Sequence, residues 1–355
     1  MNVLARHRRQ LWRLEALRCM RREGSSSSCW EASPSQLRRR ELWVKEAEFR
    51  ARNRGPVQKV EVQVRGPHQE HNTLLILNKD HSTPYTVAKH LDASIQRLVG
   101  GAVVAERKEG QEEMEAEEAS YEEESLWDLH RPFQRSARLR FQYYEDSSIH
   151  WMHQLNLAYW RSCSFVLGAI LEAAFKANFP VTLHSWPGAD YRSGSFLYHA
   201  RIQGLQGWQP SREELHILGR SMMAAIREAA LPIQPLVVDK SKALDIFRDN
   251  PFKCEQIESM ESAKVRVYRM GDHVDLSAGP LIPDSSHFGN FQIALVREWR
   301  SDWGPLYCFQ GVSVPAAQRI SAFAWDTVLQ AARRPNRMAY PKRASEQEVQ
   351  AMASS

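Results

Sequence analysis

Three parts of the sequence hold residues whose type and spacing could do chemistry. "VDLSAGPLIP" (274–283) reads as a buried strand entering a tight Gly-Pro turn, a frame that often presents a catalytic or metal-binding side chain. The positions flanking Gly279 are Ser277, Ala278 and Leu281, which offer one hydroxyl and no imidazole or thiol. His150 and His153 stand three apart and could share a helix face, yet no carboxylate or Cys lies at ligand spacing from them. His68 and His71 fall in a Gly-Pro loop and read as solvated. Arg38, Arg39 and Arg40, with Arg50, Arg52 and Arg54, are the best candidates for contact with phosphate, and a solvated helix face is an equally good reading of each taken singly. The sequence contains no P-loop, no GxGxxG and no GxSxG. The five cysteines (Cys19, Cys29, Cys163, Cys254 and Cys308) form no CxxC pair, so neither a disulfide framework nor a zinc ribbon is expected. No metal, cofactor or small-molecule substrate is called for by these patterns.

The elements that would position these residues fall into groups along the 355-residue chain. Residues 1–32 form an Arg-rich, acid-poor arm. Leu4, Leu11, Leu14 and Leu17 are set among arginines at roughly helical spacing, and a Ser run follows. That is the composition of a mitochondrial targeting segment, with an RNA-binding arm as the alternative. Residues 33–57 read as a polar helix capped at Ser33 or Ser35 and stopped by Gly55-Pro56. Its charges alternate in sign, which predicts a solvated helix or one lying along another surface, too polar to be core.

Residues 58–146 read in the order strand, strand, helix, strand, strand, a small ubiquitin-like β-grasp. "KVEVQV" alternates with period two, and Thr83-Pro84 opens the helix. An insert at 106–124 holds ten Glu against Arg107 and Lys108 and is expected to be a disordered surface loop. Residues 147–334 predict an α+β unit with a mostly antiparallel sheet. It begins with a long buried helix and holds a second helix with a capping box, Ser211 and Glu214. "DKSKALDIFRDNPFKCEQI" reads as one helix, "FQIALVRE" and "LYCFQGVSV" as a hairpin whose turn is flanked by Trp299 and Trp303, and roughly 315–334 as a last helix. Residues 335–355 read as a flexible tail.

Charge narrows the function classes further. Residues 1–57 carry 14 Lys+Arg against 6 Glu, and outside the acidic insert, itself −8, the chain carries a net +13. A polyanionic partner is a reasonable expectation. The longest apolar run, Ser162–Leu171, is too short to span a bilayer, so no membrane insertion is expected.

The two folded units together, roughly 58–330, resemble the TGS and editing domains of threonyl-tRNA synthetase, in the same order. The editing site of that family pairs HxxxH on a long helix with CxGxH in a distant turn. Two residues four apart share a helix face, and the turn closes the cluster. Here all four positions differ: Arg161 and Phe165 stand in the helix, Ser277 and Leu281 in the turn. Phenylalanine and leucine can neither bind a metal nor move a proton, and arginine stays charged. The resemblance therefore implies a retained frame with its chemistry removed.

"AYWRSC", "KALDIF", "GDHVDLSAGPLIP", "FQGVSVP" and "LNKDHSTPYT" further resemble mitochondrial large-subunit ribosomal proteins built from those two domains. That resemblance implies a non-catalytic component of the mitochondrial matrix, partnered by mitochondrial rRNA and other large-subunit proteins. The alternatives are a free-standing trans-editing deacylase and an RNA-binding module outside the ribosome.

Overall fold

The computed structural model describes residues 32–66, 72–110, 119–145, 148–175, 178–186, 194–301 and 304–336. The basic arm up to residue 31, His68, His71, residues 111–118, Trp303 and the tail from 337 lie outside the described residues.

Helix α1 (Pro34–Arg52) starts where its sequence provides for a start. The Ser33 hydroxyl accepts from the Gln36 N–H, and the Gln36 side chain accepts from the Ser33 N–H at 2.8 Å, a complete capping box with Pro34 in the first turn. The helix lies along another surface, one of the two placements its charges suggested. It buries more than its polarity predicted: Gln36, Arg39 and Trp43 are all turned inward. Arg38, Arg39 and Arg40 have acid partners elsewhere in the fold, which is how so charged a helix can dock.

A five-stranded mixed sheet follows, in the order β2-β1-β5-β3-β4: β1 (Lys59–Arg65), β2 (Asn72–Asn78), β3 (Val99–Glu106), β4 (Ser125–Trp127) and β5 (Ala137–Tyr143). Strand β1 pairs antiparallel with β2 and parallel with β5, the topology of a β-grasp. Val60, Val62 and Val64 point into the core with Val87 and Ala88 of α2 (Pro84–Leu91). A short helix, α3 (Ala93–Leu98), leads back into β3.

The ends of the acidic insert are ordered, which differs from the expectation for 106–124. Arg107 and Tyr121 form an antiparallel bridge, Lys108 N–H donates to Ser120 O at 3.0 Å, and Glu122 N–H donates to Glu106 O at 2.8 Å. The Arg138 guanidinium lies 3.9 Å from the Tyr121 ring centroid. Main-chain pairing together with this ring on a sheet arginine holds the ends of a segment whose composition is otherwise that of a loop.

Helix α4 (Ile149–Ala174) runs about 39 Å at 1.5 Å per residue, and every residue from Ser162 to Leu171 is buried. It packs against a four-stranded antiparallel sheet, ordered β11-β12-β7-β6: β6 (Val181–Leu183), β7 (Phe196–Ile202), β11 (Phe288–Ser301) and β12 (Gly304–Pro315). Strands β8 (Gln234–Asp239), β9 (Lys264–Met270) and β10 (His273–Leu276) make a second sheet of three. The antiparallel character matches the sequence reading; the division into two sheets was not foreseen.

The capping box of Ser211 and Glu214 opens α5 (Arg212–His216), and a π-helical turn at Ile217–Ser221 joins it to α6 (Met222–Glu228). The single helix expected over 239–257 is two, α7 (Lys240–Ile246) and α8 (Pro251–Glu258). Pro251 lacks the N–H a continuous helix would need, and Asn250 caps the new start by accepting from Phe252 and Lys253. The last helix, α9 (Ala322–Ala332), begins later than expected because Ser321 caps it. Among the described residues no helix is long and apolar enough to cross a membrane.

Candidate functional site

Of the four positions picked out by sequence, Arg161 and Phe165 lie on α4, while Ser277 and Leu281 lie in the turn after β10, which α4 touches through Arg161. Arg161 Nε donates to the Pro280 carbonyl at 3.2 Å. One residue on, the Ser162 hydroxyl donates to Ala158 O at 2.8 Å and accepts from the Ile282 N–H at 2.9 Å. Phe165, one turn further along the same face, is fully buried. Its ring meets His273 at 4.8 Å and Tyr268 at 6.2 Å, both edge-on. Leu281 is buried as well.

The turn itself is closed on its own groups. Ser277 Oγ accepts from the Gly279 N–H at 3.1 Å, and Arg266 donates to Ala278 O at 2.7 Å. Gly279 has φ +63° and a cis peptide to Pro280. A Cβ there would stand 1.9 Å from the Tyr268 hydroxyl oxygen, so only glycine fits.

The buried polar partner of this turn comes from the other unit. Asp128 follows β4 and is itself buried. Its carboxylate accepts the Leu281 N–H at 2.7 Å and the Tyr268 O–H at 2.9 Å. Burial pushes the Asp128 carboxyl above its ordinary value, against the Leu281 N–H, Arg266, Tyr268 and Arg131, which pull it down. Burial likewise pushes the Tyr268 hydroxyl well up, so it donates rather than ionises. Two residues away, His130 Nε2 lies 3.0 Å from Pro283 O.

Two further buried polar groups sit beside this site. Lys253 Nζ lies 2.7 Å from Asp275 Oδ1 and donates to the Tyr198 hydroxyl at 3.0 Å, while that hydroxyl donates to the other Asp275 oxygen. Glu172, at the end of α4, holds Arg39 at 2.6 Å and His273 Nδ1 at 2.7 Å. Burial alone would raise the Glu172 carboxyl; Arg39 and His273 outweigh it and hold it down to about 2.

Chemically the arrangement offers little at the four positions. Arg161 is half-buried and bonded to a carbonyl, Phe165 and Leu281 are packing, and the Ser277 hydroxyl is engaged with the turn's own N–H. No group of three or more His, Cys, Asp or Glu among the described residues is arranged to hold a metal ion. His150 is exposed at the start of α4 and stands against Trp151 at 4.7 Å, edge-on. His153 lies one turn on and is half-buried. Trp299 meets His199 at 5.6 Å.

The arginine candidates divide. Arg39 is only 5% exposed and paired to Glu172, which takes it out of reach of any phosphate, contrary to expectation. Arg38 binds Asp245 O at 2.6 Å and Asp249 at 3.2 Å, and Arg40 pairs with Asp272. Arg50 and Arg52 pair with Glu46 and Glu48 one turn back, and Arg54 is exposed beyond the helix. The sequence reading missed Asp128, Tyr268, Lys253 and Asp275. An aspartate in "LWDLHRPF" and a lysine in a helix carry no local mark of what they will face.

No family model matches the chain. It is 29% identical over 345 residues to the large ribosomal subunit protein mL39 of Drosophila melanogaster, covering 94% of this chain and 95% of that protein. It is 31% identical over 180 residues to the threonine–tRNA ligase of Thermotoga neapolitana, and 30% identical over 260 residues to threonine–tRNA ligase 2, cytoplasmic, of Bos taurus. The chain spans 26% and 30% of those two ligases. The structure and these partial matches agree on an α+β chain with an editing-like unit.

Proposed function

We propose that this chain, a relative of mL39 along nearly its whole length, is a non-catalytic structural component of the mitochondrial large ribosomal subunit. The observation that carries this is the extent of the match: the similarity runs end to end in both proteins, whereas the ligase matches stop at part of each enzyme. The first unit then acts as a TGS-like β-grasp and the second as an editing-like scaffold, with 1–32 directing import into the matrix.

The absence of catalysis is supported residue by residue. Arg161, Phe165, Ser277 and Leu281 are each committed to holding the turn and helix together. Of the arginines proposed to meet rRNA, Arg54 is exposed and Arg52 forms an exposed pair with Glu48 one helical turn back, which is weak and yields readily to phosphate, while Arg50 is half-buried against Glu46. Neighbouring large-subunit proteins are the other partners in this reading.

Sedimentation tests it. A tagged chain expressed in its own cells should follow the mitochondrial large subunit through a salt-washed gradient. Recovery at the top of the gradient as free protein would favour a module outside the ribosome.

A further inference from the structure

Three arginines close on the turn after β10, each from a different element. Arg161 comes from α4 and donates through Nε to Pro280 O at 3.2 Å. Arg266 comes from β9, donates to Ala278 O at 2.7 Å and lies against the Tyr268 hydroxyl. Arg131 follows β4, and its guanidinium carbon lies 3.5 Å from the centroid of the Trp127 ring. Ala278 is exposed and the three arginines are half-buried, so the cluster lies at the surface. Its members are held in advance, two by turn carbonyls two residues apart and one by an indole face.

Among the described residues none of the three forms an ion pair. The acids that act on them are Asp128 and Glu106, both buried and both already engaged. Asp128 accepts from Leu281 and Tyr268. Glu106 accepts the N–H groups of Gln134 and Arg135 and pairs with the Arg135 guanidinium. Burial lowers the Arg131 and Arg161 guanidiniums from their ordinary value, and Arg266 adds to this by repulsion. Glu106 pulls Arg131 the other way, and Asp128 and Tyr268 pull both. Donors remain free as well. Both Nη atoms of Arg161 and every side-chain nitrogen of Arg131 lack a hydrogen bond to a described residue, and none of them is sealed from solvent. Like charges held this close cost stability until an anion joins them.

We propose that Arg131, Arg161 and Arg266 form a binding site for a backbone phosphate of an RNA strand. A phosphodiester presents two non-bridging oxygens to guanidinium forks, and three forks exceed what one carboxylate can engage. The site lies at the surface of a chain that is basic outside one insert, so a strand can run across it. This deepens the proposed function by naming a surface for RNA, and it rests on that reading for the source of the strand.

The test measures binding of a fluorescent oligouridylate to the purified full chain by anisotropy, over a series of salt concentrations. Arg131→Gln with Arg266→Gln should weaken binding about tenfold and flatten the slope of log K against log salt by about 0.7, the share of one phosphate. Arg333→Gln with Arg334→Gln removes the same charge from exposed positions and should weaken it about twofold at most. Arg131→Gln alone removes no side-chain hydrogen bond. It should melt close to the parent and bind about threefold more weakly, which keeps the test valid if the double variant unfolds. Equal losses in the two pairs, or no loss in Arg131→Gln, would overturn the proposal. Displacement of the RNA by inorganic phosphate at matched ionic strength would overturn it too, making the site a pocket for a free anion. So would binding of polyglutamate with the same dependence on Arg131 and Arg266, which would assign the site to acidic protein. Sedimentation is read separately. A chain that travels with the large subunit yet binds RNA without regard to these arginines defeats this inference alone. One that stays free and shows the arginine dependence defeats the proposed function alone.

Discussion

The carboxylate of Asp128 accepts the backbone N–H of Leu281 at 2.7 Å, joining the β-grasp unit to the turn of the editing-like unit. The turn's geometry is thus fixed by a residue 153 positions away in sequence, from outside the unit that contains it. Asp128→Ala should cost about 2–4 kcal/mol, because it leaves the Leu281 N–H and the Tyr268 hydroxyl buried without an acceptor. Asp128→Asn keeps one acceptor and should cost less. Urea unfolding of the three proteins checks the order.

Phe165→Ala should cost on the order of 3–5 kcal/mol, since a fully buried ring is removed from between His273 and Tyr268. Phe165→His should destabilise too, by placing a polar ring in a site built for an apolar one. Melting temperature reads both, and a neutral Phe165→Ala would mean that the position is not core.

The ion pair between Arg39 and Glu172 is almost wholly buried. Arg39→Met should destabilise by about 3 kcal/mol because it leaves the buried Glu172 charge with only His273 and Gln36 against it, and Arg39→Met with Glu172→Leu should recover only part of that loss, since His273 then lacks its acceptor. The Glu172 carboxyl is held below its unfolded value, so its contribution is full above about pH 4.5 and is lost as pH falls toward 2. Proteolysis of helix α1 followed against pH measures it directly.

Three histidines act at milder pH. Burial lowers His184 to about 4, with His199, Lys253 and Arg201 adding to the effect, and burial also lowers His130 and His287. A histidine depressed in the folded state binds its proton more readily when unfolded, so stability should fall as pH drops from about 6.5 toward 4. The melting temperature should decline over that window, and His184→Gln should flatten part of the decline.

Local structure was legible where a local rule set it. The capping serines at 33 and 211, the valine alternation of β1 and the Gly-Pro turn all carry their reasons within a few residues. Part of the site's frame was legible too, since the helix that carries Arg161 does meet the turn, at the Pro280 carbonyl. What holds the frame was not. Asp128, Lys253, Asp275 and Glu172 find partners far away in sequence, and nothing next to them in the chain marks those partners. Arg39 was misplaced for the same cause: composition makes a triple arginine look solvated, and the fold supplies acids for all three. The helix break at Pro251 was readable from the proline and the asparagine before it, and the expected single helix passed over both.

The central claim is that the turn after β10 survives as architecture without chemistry, and hydrolysis of mischarged tRNA tests it most directly. Purified chain is incubated with Ser-tRNA, and release of the amino acid is followed against buffer alone, with Ser277→Ala in parallel. Release by the chain should equal the background, with or without Ser277. Release above background that disappears in Ser277→Ala would contradict the account and make the turn an active site.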